Sequence, residues 1–153
     1  MQPLIQPGNW VTAVTMSLPD YASQLGERLQ AVMKDNSLST VEAHSCALAV
    51  SLAVGYGELA LEISMSNELR GNDIREEVAA AVVDMTFSNI SGDLLISDLK
   101  ITPYALAIAM ILKDELSIDV VRIGLKELDY TDEQLIDIAK IAGIIPAIGK
   151  CLI

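Results

Sequence analysis

The chain has one histidine, His44, and two cysteines, Cys46 and Cys151, and any thiol, imidazole or metal chemistry must start from these. Glu42, His44 and Cys46 are spaced in a superficially metal-like pattern. On a helix, Glu42 and Cys46 share a face four residues apart, while His44 points about 200° away. A site with one histidine would need further ligands from elsewhere, and no metal is expected. His44 reads as a half-buried histidine and Cys46 as a core thiol, kept unreactive by its apolar surroundings. Cys151 stands two residues from the end of the sequence. A Cys46–Cys151 pair stays open, but there is no Cys-x-x-Cys to act as a redox centre. Ser–His–Asp chemistry would have to use His44, and no Gly-x-Ser-x-Gly elbow supports it. Gly55-Tyr56-Gly57 lacks the lysine and the longer glycine pattern of a phosphate loop, and reads as a break between helices.

The carboxylates fall into two groups: Asp114, Glu115 and Asp119, then Asp129, Asp132, Glu133 and Asp137. Paired acid–base work would need a cleft between them; solvated helix ends are the simpler reading. Asp132 and Glu133 stand where they favour a helix dipole. Met16, Met33, Met65, Met85 and Met110 follow helical spacing loosely and read as core filler.

The elements that must position these residues are helices. Residues 1–16, with Pro3, Pro7 and Gly8, read as an irregular arm, and residues 17–153 as a single domain. Ser17-Leu18-Pro19-Asp20 carries the cap and first-turn residues of a helix start, followed by an apolar face at Tyr21, Leu25, Leu29 and Val32. Ser39 and Glu42 have capping-box spacing, and the small apolar run from Ala43 to Val54 predicts a central buried helix. Further helices are expected over 58–69, 74–87, 103–112 and 117–128. A last one starts at Thr131, with Gln134 in capping-box position, and Pro146 should kink or split it. Leu94 to Ile96 could be briefly extended. The fold class is all-α. A faint internal repeat accompanies it: Ala47-Leu48-Ala49-Val50 matches Ala105-Leu106-Ala107-Ile108, and Glu58-Leu59 matches Glu115-Leu116.

Composition narrows the partners. Hydrophobic residues make up 52% of the 153, aromatics only 4%, which suits closely packed helices rather than disorder. The formal net charge is −11, from 10 Lys and Arg against 21 Asp and Glu. That field disfavours nucleic acid and anionic membrane surfaces, both of which need cations against phosphate. The longest apolar runs fall short of the ~20 residues of a membrane span. With no basic leader pattern at the start, a cytoplasmic protein is the expectation.

Two stretches carry a family resemblance. Leu18-Pro-Asp-Tyr-Ala-Ser-Gln-Leu, the apolar helix from Ala47 to Val54, the Gly-Glu-Leu break and the run from Val78 to Met85 form the first. Leu128-Asp-Tyr-Thr-Asp-Glu-Gln-Leu-Ile-Asp-Ile-Ala-Lys-Ile-Ala-Gly forms the second. Together they resemble the AhpD-like alkyl hydroperoxidases of the carboxymuconolactone decarboxylase superfamily, over most of residues 18–152. The resemblance implies an AhpD-like helical bundle with a duplicated helical half, and a homo-oligomer, trimer or hexamer. It also implies a dithiol peroxidase centre: a Cys-x-x-Cys pair at a helix start, served by a Glu and two His. Counting back from the C-terminal match puts the two cysteine positions on Asp114 and Ser117, the histidine positions on Leu116 and Val121, and the glutamate position on Thr102. All five are replaced, and no Cys or His occurs from 47 to 150. The resemblance therefore implies a non-catalytic member without cofactor, in a structural, regulatory or binding role. Two alternatives stand beside it. One is an enzyme of altered chemistry, oxidoreductase or acid–base lyase, using Asp114, Glu115 and Ser117 in place of the thiols. The other is an unrelated small helical interaction module.

Overall fold

The computed structural model describes residues 9–70, 73–92 and 99–152. Among them are eight α-helices and no strand: α1 (Trp10–Ser17), α2 (Ser23–Lys34), α3 (Thr40–Val54), α4 (Gly57–Ser64), α5 (Ile74–Ser91), α6 (Pro103–Leu112), α7 (Glu115–Glu127) and α8 (Asp132–Cys151). Short 3₁₀ turns at Asp20–Ala22 and Asn67–Leu69 complete them. The all-α class is as the sequence predicts. The 94–96 segment lies outside the described residues.

Local chemistry explains most boundaries. Ser39 and Glu42 form a complete capping box at the start of α3, and Thr131 and Gln134 another at α8. Thr102 caps α6 with Pro103 in its first turn. The differences are instructive. Residues 10–17 are helical where an irregular arm was expected, with Asn9 accepting from the Thr12 amide as cap. The helix expected from Ser17 starts regular α-helix only at Ser23, after the 3₁₀ turn. The single helix expected over 58–69 stops at Ser64 and resumes as a 3₁₀ turn. α7 begins at Glu115, not Ser117. α8 runs unbroken through Pro146. A proline costs a helix interior about 3 kcal/mol, and the burial of Ile144, Ile145 and Ile148 around it outweighs that.

The core is built on α3 and α6, which pack on each other more extensively than any other pair. Both are apolar nearly all round, and Ala47, Ala49, Ala105 and Ala107 let their backbones approach. Each is followed by the same stop. Gly55 adopts φ 86° and Lys113 φ 57°, both left-handed. The Tyr56 amide then donates back to the Ser51 carbonyl, and the Asp114 amide to the Ala109 carbonyl. That is one Schellman-type closure, repeated 58 residues on. The packing repeats with it. α3 packs on α4, α5 and α8; α6 packs on α7, α8 and α5. Exchanging α3–α5 with α6–α8 leaves this pattern unchanged, so the faint sequence repeat corresponds to a repeated arrangement of three helices. α1 and α2 stand outside it, with α2 lying along α8.

Candidate functional site

Of the five positions singled out by the sequence, Thr102 lies at the start of α6, Asp114, Leu116 and Ser117 at the start of α7, and Val121 in the middle of α7. Asp114 is the N-cap of α7: one carboxylate oxygen accepts from the Ser117 amide at 3.2 Å, the other from the Ser117 hydroxyl at 2.7 Å. Ser117 and Val121 are fully buried, while Leu116 is half exposed and Glu115 faces solvent. Thr102 accepts from the Ala105 amide at 3.1 Å as the cap of α6. Asp114 and Ser117 are thus brought together, but on each other, and Glu115 points away from both. As arranged, the two supply a capped helix start with its hydroxyl proton already donated.

The other carboxylates divide by burial. Asp119 pairs with Arg122, and Asp132 with Lys126, on exposed surface. Asp129, Asp132 and Glu133 are exposed as helix-end charges should be. Asp137 departs from that reading: it is buried, and accepts from both the amide and the hydroxyl of Ser37, with Lys140 at 3.8 Å. It fastens the turn between α2 and α3 onto α8. Two methionines also depart from the core role, since Met16 and Met65 are exposed.

The chain's one histidine is built into a contact that sequence reasoning missed. Trp10, 1% exposed on α1, donates its indole N–H to His44 Nδ1 on α3 at 2.8 Å, with the rings edge-to-face. An indole nitrogen only donates, so Nδ1 holds the lone pair and Nε2 carries the proton. In that state the imidazole has no free lone pair. It is neither a base nor a metal ligand unless Trp10 lets go; it can only donate from Nε2. Burial lowers its pKa, against the opposing pull of Glu68. Beside it opens a cleft of about 420 Å³ lined by Trp10, Gln30, Lys34, His44, Asn67 and Glu68. The one available signal was that lone Trp and lone His have few other partners to find, but 34 residues of chain separate them.

Cys46, two residues on, is wholly buried, and both desolvation and the Glu42 carboxylate push its thiol pKa up. Glu42 itself is engaged twice, accepting from the Ser39 amide and from the Tyr130 hydroxyl. Burial and that bond push Tyr130 up to about 12. Both cysteines are free, and Cys151 is partly exposed at the end of α8. Among the described residues no three His, Cys, Asp or Glu side chains stand together as metal ligands.

No family model matches the chain, and no curated protein matches it. The site must therefore be read from its own chemistry. The Cys46 thiol is buried with its pKa raised, the imidazole is occupied, and no described helix is long and apolar enough to cross a membrane.

Proposed function

We propose that this chain is a non-catalytic AhpD-like protein that has lost the dithiol peroxidase centre and serves a structural, regulatory or binding role in the cytoplasm. The observation that carries this reading is the start of α7, where Asp114 and Ser117 close a helix cap on each other. A thiol pair there would need a thiolate and a resolving thiol; a carboxylate and a hydroxyl supply neither. The repeated three-helix arrangement favours this over an unrelated helical module. The −11 charge argues against nucleic acid as partner. A homo-oligomer, trimer or hexamer, belongs to the same reading. The alternative, an enzyme using Asp114, Glu115 and Ser117, would need those side chains to converge on a cleft.

Intact mass after stoichiometric hydroperoxide tests the proposal. A working dithiol centre reduces the peroxide and becomes a disulfide, losing two hydrogens. The expected result is no such intramolecular loss. A disulfide between residues 46 and 151, formed and re-reduced through successive cycles, would overturn it.

A further inference from the structure

α1 belongs to neither half of the repeated three-helix arrangement, and its extensive packing is on α2. There the Thr15 side chain lies over Gly26, where a Cβ would come within 2.8 Å of it. Only Trp10 and Val14 of α1 are buried. Among the described residues, the bond from the Trp10 indole to His44 Nδ1 is the one side-chain hydrogen bond that joins α1 to another element. The attachment of α1 to α3 therefore depends on the state of a single imidazole.

That bond exists in one charge state only. An indole nitrogen donates and cannot accept. When His44 takes up a proton, the proton goes to Nδ1, the one ring nitrogen with a lone pair, and the imidazolium then carries an N–H at both positions. Two N–H groups cannot share the 2.8 Å between Trp10 Nε1 and His44 Nδ1. Either the proton stays off or the contact opens. The charges around the ring are few. α1 carries no titratable side chain. α2 brings Lys34 to the cleft beside His44, and the Asn67–Leu69 turn brings Glu68; no other charged residue among those described borders it. On α3 itself, Glu42 is engaged by the Ser39 amide and the Tyr130 hydroxyl. Lysine and glutamate side chains ordinarily keep their charge across the range in which histidine titrates, so His44 is the group that changes.

We propose that α1 is an acid-sensitive latch: proton uptake by His44 breaks the Trp10 contact and lifts the Trp10 end of α1 off α3 while the rest of the bundle stays folded. The closed form resists the proton, because burial lowers the His44 pKa by more than Glu68 raises it. The open form takes the proton at the ordinary histidine value of about 6.5. The open form thus binds more protons, and acid favours it. Its share rises up to about tenfold between pH 7.5 and 5.5. Opening uncovers Trp10 and Val14 and widens the cleft, one wall of which is Trp10, Val11 and Thr12. The inference goes beyond the family resemblance and does not rest on it.

Backbone hydrogen exchange of the full chain tests it, read by mass spectrometry on peptides from α1 and α6 and corrected for the chemical exchange rate at each pH. At every pH α1 should be protected less than α6, because it opens without the rest of the fold. Between pH 7.5 and 5.5 the protection of α1 should fall at least about fivefold. Trp10 is the chain's one tryptophan, so its indole N–H gives a single proton resonance, which should lose protection in step with the α1 amides. His44→Asn keeps an oxygen acceptor for that N–H but takes up no proton; there the protection of α1 should change less than about twofold over the same range. Wild-type α1 protection that is independent of pH would overturn the inference, and so would an equal fall in His44→Asn. Exchange of α1 and α6 together at every pH would overturn it as well, because α1 would then open only with the whole fold. The wild-type results decide the matter even where a His44 variant fails to fold, and none of them bears on the proposed family reading.

Discussion

Trp10→Phe removes one N–H and part of a ring from the contact that fastens α1 to α3. Trp10 is 1% exposed and His44 9% exposed, so water does not readily replace the lost donor. Leaving His44 Nδ1 buried and unpaired costs about 1–3 kcal/mol. The missing ring volume, about 40 Å³, adds about 1 kcal/mol as a cavity. The sum is about 2–4 kcal/mol, or roughly 5–15 °C in Tm for a chain of this size. Urea denaturation followed by far-ultraviolet circular dichroism measures it. The same substitution in a His44→Leu background separates the bond from the packing. There the acceptor is already gone, and Trp10→Phe should cost at least 1 kcal/mol less. If Trp10→Phe costs the same in both backgrounds, within about 0.5 kcal/mol, the hydrogen bond does not hold α1 and the tautomer assigned to His44 loses its support.

Stability should fall as pH drops below 6.5, the ordinary histidine value, because burial lowers the His44 pKa and the unfolded chain takes up the proton first. Glu68 on the Asn67–Leu69 turn opposes that shift, and Lys34 on α2 borders the same cleft; a His44→Leu variant should flatten the profile between pH 7.5 and about 5.5, where carboxylates still contribute little. A wild-type profile as flat as the variant's would contradict the burial argument. Asp114→Ala should destabilise by about 1–3 kcal/mol, losing the α7 cap and stranding the Ser117 hydroxyl, whereas Asp114→Ala with Ser117→Ala should recover part of that loss. In the native protein a thiol reagent should label Cys151 alone, with Cys46 appearing only on denaturation; rapid labelling of both would show that the α3 core opens.

What the sequence made legible was local. Capping boxes at Ser39 and Thr131, the Pro103 start and the small-residue runs of α3 and α6 each carry their signal within a few residues, and each matches the structure. What stayed hidden depended on partners far along the chain. Asp137 looks like any helix-surface acid until Ser37, a hundred residues earlier, is folded against it. α1 is short, and the bond that fixes it runs to His44. The capping role of Asp114 was hidden because the next helix was expected to start at Ser117, whereas α7 starts at Glu115, directly after Asp114. Met16 and Met65 have helical spacing, but spacing alone does not say which side of a helix faces water.

The central claim is that this fold carries no dithiol peroxidase centre. Steady-state hydroperoxide consumption with a dithiol donor, run on the wild type and on Cys46→Ser with Cys151→Ser, tests it most directly. Both should match the rate of buffer with donor alone. Protein-dependent turnover in the wild type that is lost in the double-serine variant would contradict it; turnover that survives in that variant would overturn the non-catalytic reading instead.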